Sequence, residues 1–171
     1  SDVLWDNLDV MVIDMPPGAG DAQLTLAQSV PVTAGIAVST PQKVALDEGA
    51  RALDMFSKLK IPVAGIIENM SGFICPDCGK EYDIFGKGTT QEVAKAYGTK
   101  TLAQIPIEPS VREAGDSGKP IVYFHPESKS AKEYLKAAKE LWDFIEEVND
   151  KKLADNSEIQ PINTGKSACS S

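Results

Sequence analysis

The sequence predicts an α/β fold in which a mostly parallel β-sheet carries helices on both faces. Short, nearly continuous apolar runs alternate with segments of helical periodicity along the 171 residues, a pattern typical of strands buried in a parallel sheet. The connections are short, as in βαβ units. The length suits one domain with a sizeable core. The predicted strands are residues 8–14, 34–40, 61–70 and 101–107.

Helical periodicity is clearest in the two longest helical segments. The first follows Pro41, and the second begins where Ser130 and Glu133 have the spacing of a capping box. Apolar side chains recur at intervals of three and four in both, so each helix is expected to lie with one face on the sheet. The two stripes are Leu46, Ala50, Leu53, Phe56 and Leu59, then Ala131, Tyr134, Leu135, Ala138, Leu141, Trp142, Ile145 and Val148.

The end of the chain differs in composition from the rest. Residues 149–171 have no hydrophobic period and almost no bulky apolar side chain. Such a segment cannot bury enough apolar surface to offset the entropy lost on ordering. The sequence therefore predicts an ordered domain over residues 1–148 and a disordered tail over 149–171.

The charge balance argues against nucleic acid and membrane partners. Seventeen Lys and Arg residues stand against 25 Asp and Glu residues, and the net charge of -8 opposes attraction to DNA, RNA or anionic lipid. No run reaches the roughly 18 apolar residues of a membrane-spanning helix, and the first residues lack a signal-peptide pattern. Three cysteines do not make a disulfide framework. We therefore expect a cytoplasmic protein.

Polar and glycine-containing loops follow the predicted strands. In an open parallel sheet, ligands bind beyond the carboxyl ends of the strands, so these loops should converge on one rim. The loops are residues 14–21, 40–43, 68–71 and 105–108. Asp14 could hold Mg²⁺ through water, while Gly18 and Gly20 would let the backbone approach an anionic ligand. Alternatively, Asp14 caps a helix or turn and the glycines only form turns.

The cysteines of "GFICPDCGKEYDIFG", residues 72–86, form a second candidate site. Cys75 and Cys78 offer two thiolates, whereas a metal centre built from cysteines usually has four. Three interpretations remain open from the residues alone: half of a zinc site, which is the first choice, half of an iron–sulfur site, and a redox-active pair. Cys169 in the predicted tail and His125 are not expected to be ligands.

Four stretches of the sequence resemble consecutive signature blocks of the Mrp/ApbC family of iron–sulfur cluster carriers. This family belongs to the MinD/ParA-like branch of P-loop nucleotide hydrolases. The blocks occur in the family's order, and the resemblance covers roughly residues 5–148. They are "VMVIDMPPGAGDAQLTLAQ", "GIAVSTPQKVALDEGARALDMF", "VAGIIENMSGFICPDCG" and "IPIEPSVREAGDSGKPIV".

The resemblance implies a nucleotide site whose phosphate end lies near the first block. Asp14 resembles the family's Walker B aspartate, which implies a catalytic role in ATP hydrolysis with Mg²⁺. The stretch "DMPPGAG" resembles switch II. This implies that Pro17 and Gly18 bind the nucleotide, with the Gly18 N–H facing the terminal phosphate.

The resemblance also assigns the base end of that site and the cysteine pair. Asn69 resembles the residue that hydrogen-bonds adenine, and Pro106 and Glu108 resemble the segment that lines the base. Cys75 and Cys78 resemble the paired cysteines that hold the cluster. Because a 4Fe-4S cluster is typically held by four thiolates, the resemblance implies a cluster shared by a homodimer and delivered to iron–sulfur acceptor apoproteins.

The family's glycine-rich phosphate loop is absent from the sequence, together with its strand. "NTGKS" at residues 163–167 has Gln160 where the loop motif requires glycine. The resemblance therefore implies a P-loop NTPase-like sheet that lacks the strand beside residues 8–14. We expect this chain alone to hydrolyse ATP negligibly. The alternative functions are a zinc-binding dimerisation or adaptor module without ATPase activity, and a MinD/ParA-like positioning ATPase.

Overall fold

The computed structural model describes residues 3–5, 7–16 and 20–157, with side chains described up to residue 152. These residues form an α/β fold, as the sequence predicts. The helices are α1 (Asp21–Ser29), α2 (Lys43–Lys58), α3 (Thr89–Ala96), α4 (Pro109–Asp116), α5 (Ile121–Phe124) and α6 (Lys129–Ser157). The strands are β1 (Gly35–Ser39), β2 (Val63–Ile74), β3 (Glu81–Tyr82) and β4 (Thr101–Ile107).

Strand β2 is the centre of the sheet. It pairs in parallel with β1 on one edge and with β4 on the other, so that Ser39, Glu68 and Gln104 lie side by side in register. Its last two residues, Phe73 and Ile74, pair antiparallel with β3. Three of the four predicted strands are therefore confirmed, and the unpredicted β3 makes the sheet mixed.

Two apolar clusters cover the two faces of the sheet. Ala37 of β1 packs with Leu53 of α2 and Ala94 of α3. The preceding residue, Ile36, packs instead against the cluster that contains Ala137 of α6. Because successive residues of a strand point to opposite faces, α2 and α3 lie on one face and α6 lies on the other.

Strands β2 and β4 approach each other closely at Gly65. A Cβ atom at this position would lie 2.6 Å from the carbonyl oxygen of Lys100 and 2.7 Å from Cγ of Leu102. Both distances are shorter than any real contact of a Cβ atom, and one neighbour is backbone that cannot move aside cheaply. Glycine is therefore required here by contact with the neighbouring strand.

Residues 8–14 were expected to form a buried strand, and this prediction is wrong. They belong to a segment without regular secondary structure, residues 7–16, whose apolar side chains are largely exposed; Val12 is 81% exposed. No strand in the described part of the chain pairs with them. A parallel strand enters a core only beside a neighbour that takes up its backbone hydrogen bonds. The resemblance implies that this neighbour is the absent phosphate-loop strand.

Helix α6 packs on the sheet as predicted, but through a different line of side chains. Of the α6 residues in the cluster on the sheet only Leu141 belongs to the predicted stripe, and Ala138 of that stripe is exposed. Ala137, Leu141 and Phe144, spaced by four and three residues, belong to the cluster on the sheet. Leu135 and Trp142 of the predicted stripe are 54% and 47% exposed. Ala137 and Phe144 each precede by one residue a position of the predicted stripe, so the face of the helix that contacts the sheet is rotated relative to the prediction. No helix in the described residues is both long and apolar enough to cross a bilayer.

Helix α6 also extends beyond the predicted end of the domain. It runs to Ser157, so residues 149–157 continue the helix instead of starting a disordered tail. Glu147 and Lys151 form an ion pair of 3.8 Å across one turn of this extension, a spacing that stabilises helices. The rest of the predicted tail, residues 158–171, lies outside the described residues.

Candidate functional site

Strand β2 continues past the rim of the sheet and becomes the first arm of a hairpin that carries the cysteines. Strand β3 is the second arm, and residues 75–80 form the turn. The Cys75 N–H donates to the carbonyl oxygen of Lys80 at 3.0 Å, and the Gly79 N–H donates to that of Cys75 at 2.9 Å. Gly79 has φ +68°, which glycine adopts without steric cost. The turn therefore closes tightly around the two cysteines.

The turn directs hydrogen-bond donors at the sulfur of Cys75. The backbone N–H groups of Cys78 and Asp77 donate to it and hold the pKa of the Cys75 thiol below its usual value, and the Cys78 side chain adds a further hydrogen bond. Cys75 is half-buried, Cys78 is exposed, and both are free thiols. Because amide donors stabilise the thiolate, Cys75 is well prepared to act as a metal ligand.

The two cysteines remain an incomplete ligand set. In the part of the chain that the structure describes, no group of three or more His, Cys, Asp or Glu side chains is arranged to hold a metal ion. A redox-active pair usually opens a helix that lowers the thiol pKa, whereas the residues after Cys78 lead into β3. Two thiolates in a tight turn suit a shared iron–sulfur or zinc centre better.

Charged side chains connect the hairpin to the start of α6. The Nζ atom of Lys129 lies 3.1 Å from Oε1 of Glu81 in β3. In the same hairpin, the Lys80 ammonium lies 5.2 Å from the centre of the Tyr82 ring. Both lysine contacts involve exposed groups, and an exposed ion pair contributes about 1 kcal/mol at most. They therefore contribute little to the stability of the fold.

The structure brings the residues predicted for the base end of a nucleotide site to one rim. Asn69 of β2 pairs with Ile105 of β4, the residue before Pro106, and Glu108 follows directly at the start of α4. The Met70 N–H donates to Oδ1 of Asn69 at 2.9 Å. No described residue accepts a hydrogen bond from the Asn69 amide nitrogen, so this donor is available to a ligand. The roles in base binding remain predictions.

Pro106 and Glu108 are also tied to the start of α6. Ser130 is completely buried. Its N–H donates to Oε1 of Glu108 at 3.2 Å, and its hydroxyl donates to the carbonyl oxygen of Pro106 at 3.3 Å. The Glu108 carboxylate thus lies at a helix N-terminus, where a negative charge is favourable. The rim segment is held in place by the same helix that covers the sheet.

The capping box predicted for α6 is wrong. Ser128, not Ser130, accepts the N–H of Ala131, at 3.0 Å. Glu133 does not reach back to the helix start. It accepts the backbone N–H of Gln104 in β4 at 3.0 Å, because packing on the sheet offers its carboxylate a donor that a lone helix would not.

The phosphate end of the predicted site is only partly described. Asp14 is exposed and lies in the unpaired segment 7–16, outside the sheet. Pro17 and Gly18 lie outside the described residues. The assignment of these three residues to Mg²⁺ and phosphate therefore remains a prediction.

Reasoning from the sequence missed a buried carboxylate on β2. Glu68 is completely buried, and its Oε1 accepts hydrogen bonds from the Ser71 hydroxyl at 2.5 Å and from Nε2 of Gln104 at 2.9 Å. Its other oxygen, Oε2, has no partner among the described residues. A signal was present, since Glu68 is the only charged residue in the apolar run 61–70.

Comparison with known proteins identifies the family. The family model of the ParA group described as NUBPL iron-transfer P-loop NTPase matches residues 1–142. The chain belongs to this family. The resemblance in four sequence blocks is thereby confirmed.

Curated relatives carry corresponding names. The chain is 57% identical over 170 residues to an iron–sulfur cluster carrier protein of Helicobacter pylori, covering 99% of this chain and 46% of the relative. It is 47% identical over 137 residues to the Escherichia coli iron–sulfur cluster carrier protein, covering 80% and 37%. It is 45% identical over 160 residues to the iron–sulfur cluster transfer protein NUBPL of Dictyostelium discoideum, covering 94% and 50%. The chain thus spans half or less of the length of these relatives.

Solved structures show the same fold. A nucleotide-binding protein from Archaeoglobus fulgidus, solved in complex with ADP and with Co, superposes with TM-score 0.55 at 35% identity, over 64% of this chain and 45% of that chain. The cell division ATPase MinD of Pyrococcus furiosus gives TM-score 0.51 at 24% identity, over 64% and 42%. The second likeness concerns the fold alone. Together they show that the chain has the fold of these proteins.

Proposed function

We propose that this chain is the cluster-binding part of an iron–sulfur cluster carrier. Two copies related by a two-fold axis would each contribute Cys75 and Cys78 and hold one 4Fe-4S cluster as cargo for acceptor apoproteins. The hairpin turn carries the proposal: two adjacent free thiols, one with amide donors at its sulfur, and no third ligand among the described residues. The names of the relatives support it.

The position of the turn suits transfer of the cluster. Cys78 is exposed, and the turn lies beyond the rim of the sheet, where a second copy and then an acceptor can approach. Each chain holds only half of the ligands, so separation of the two copies would release the cluster. A requirement for free thiolates and a net charge of -8 fit a reducing, cytoplasmic location without a nucleic acid partner.

In the whole protein we propose that ATP and Mg²⁺ act at the rim, where their binding and hydrolysis would supply free energy for association of the two copies. The described residues fit the base end, because the Asn69 amide nitrogen is an available donor beside the Pro106 segment. They do not supply the phosphate end, because the sequence contains no phosphate loop. We propose that the 171-residue chain hydrolyses ATP negligibly; robust turnover by the purified chain would contradict this.

Anaerobic reconstitution with iron and sulfide tests the proposal. We expect one 4Fe-4S cluster per two chains and a dimer by native mass, both lost in Cys75→Ser because the turn of each copy then offers a single thiolate. Cys169→Ser is the matched control and should keep both cluster and dimer. Metal analysis, sulfide analysis and oligomer mass are the measurements.

Two outcomes would reject the carrier function. A chain that stays monomeric and metal-free under reducing, iron-replete conditions has no shared centre. A chain that binds one zinc per two copies and never iron is a zinc-binding adaptor, since tetrahedral zinc accepts the same four thiolates.

A further inference from the structure

Strand β2 changes direction between the rim and the cysteine hairpin. From Asn69 to Phe73 it advances four residues, while its partner β4 advances two, from Ile105 to Ile107. Two extra residues therefore bulge out of β2 at this point. Met70 has φ +56° and Gly72 has φ +82°. The hairpin leaves the sheet through this kink, so the kink sets the direction of the cysteines.

The kink places a residue other than glycine in a strained backbone conformation. A side chain at φ +56° is disfavoured, and such a conformation persists only where surrounding contacts hold it. Two side-chain hydrogen bonds bracket Met70. The Asn69 Oδ1 accepts the Met70 N–H, and the Glu68 Oε1 accepts the Ser71 hydroxyl. Glu68 and Asn69 thus fix the backbone on both sides of the strained residue.

Glu68 is a poor choice for stability alone. Its carboxylate is completely buried, no described cation pairs with it, and Oε2 lacks a partner. An apolar side chain of similar size would avoid the loss of hydration that a buried charge suffers. An apolar side chain, however, could not accept the hydrogen bonds that the Ser71 hydroxyl and the Gln104 side-chain amide donate to Oε1 of Glu68.

We propose that Glu68 is a positioning residue that locks the β2 kink and thereby sets the direction of the cysteine hairpin relative to the rim. Through Gln104, whose backbone N–H is held by Glu133 of α6, Glu68 also connects the kink to the β4 segment that ends at Pro106. The inference rests on the proposed function only for the purpose of the lock, which is to position Cys75 and Cys78 for a metal centre. The lock itself is a property of the metal-free chain.

Amide hydrogen exchange of the metal-free 171-residue chain tests the lock. Ser71→Ala removes the hydrogen bond that Ser71 donates to Glu68 across the kink and keeps the one that Gln104 donates to Glu68. We expect exchange at Cys75 and Gly79 to rise roughly tenfold, the factor that loss of one hydrogen bond to a charged group allows, with β4 amides unchanged. Ser71→Thr, which restores the hydroxyl, should return exchange to the wild-type rate.

Two further variants separate positioning from general destabilisation. Glu68→Gln keeps an acceptor oxygen and should loosen the hairpin less than Ser71→Ala. Ser117→Ala removes a hydroxyl that donates to the Glu113 carbonyl on α4 and should leave the hairpin unchanged. Unchanged exchange in Ser71→Ala, or an equal rise in the hairpin and in β4, would overturn the inference.

A Co²⁺ titration of the same chains links the lock to the metal centre. If Ser71→Ala weakens Co²⁺ binding and Ser71→Thr restores it, the kink positions the thiols for a metal. If wild type binds neither Co²⁺ nor iron while Ser71→Ala still loosens the hairpin alone, the carrier function fails and the lock stands.

Discussion

Residues 8–14 and the first part of β2 have the same sequence pattern and different environments. Each is an apolar run closed by a carboxylate, Asp14 in the first and Glu68 in the second. β2 pairs with strands on both edges, and Glu68 is completely buried. Residues 8–14 pair with no strand in the described chain, and Asp14 is exposed. The difference shows that an apolar run becomes a buried strand only where a neighbouring strand pairs with its backbone N–H and C=O groups.

The largest expected effect comes from a matched pair of leucine substitutions, one in β4 beside β2 and one shortly before residues 8–14. Leu102 of β4 is 1% exposed and Leu4 is 99% exposed. Leu102→Ala should lower the free energy of unfolding by about 3 kcal/mol because it leaves a cavity between the sheet and α6. Leu4→Ala should change it by less than about 0.5 kcal/mol. Denaturant unfolding measures both, and similar losses would show that the first segment packs on the domain.

Gly65 gives a second and smaller test of how tightly the central strands fit. Gly65→Ala should lower the free energy of unfolding by about 1–3 kcal/mol, because its Cβ would overlap the Lys100 carbonyl oxygen and the Leu102 side chain. Gly115→Ala, in α4 with open space around the position, is the control and should be neutral or stabilising by up to about 1 kcal/mol. The measurement is the thermal unfolding midpoint of each variant relative to wild type. Equal midpoints would mean that β2 and β4 can move apart without loss.

The smallest expected effect concerns an ion pair that joins the sheet to α6. The Lys100 ammonium, by hydrogen bonding and then by charge attraction, holds the pKa of Glu140 below its usual range. A carboxyl whose pKa is lower in the folded state stabilises the fold above its unfolded pKa of about 4.3 and loses that effect as pH falls through the folded pKa. The small advantage of wild type over Glu140→Gln in unfolding midpoint should therefore vanish on acidification.

The control for this ion pair is Glu146→Gln, an exposed position on α6 without an ion pair among the described residues. It should show no such loss between neutral and acidic pH. An advantage of wild type over Glu140→Gln that persists at low pH would show that packing of the side chain, not its charge, stabilises the contact.

The sequence predicts those parts of the molecule that depend on local pattern. Buried runs identify β1, the first part of β2, and β4, and the cysteine spacing identifies the candidate pair of metal ligands. The kink at Met70 has no such pattern, because a left-handed residue there depends on hydrogen bonds that the side chains of Glu68 and Asn69 accept. Glu133 likewise bonds to a distant strand instead of its own helix start. Individual side-chain hydrogen bonds decide these features, within β2 at the kink and between α6 and β4 for Glu133.

The strand β3 could not be predicted from hydrophobic periodicity, because two residues are too few to show a period. It exists because Phe73 and Ile74 offer it a partner across the cysteine turn. The candidate ligands can therefore be found from the sequence, whereas the direction in which they point cannot.

Beyond the kink, the last two residues of β2, Phe73 and Ile74, form the arm that carries the cysteine turn, and their number has a consequence for chain length. Twelve residues of one strand run from the middle of the sheet to the cysteine turn. Side chains alternate along a strand, so adding or deleting one residue at Phe73 or Ile74 would turn the next side chains to the opposite face, while a change of two would preserve it. In relatives of different length, even-numbered insertions in this arm should be tolerated where odd ones are not.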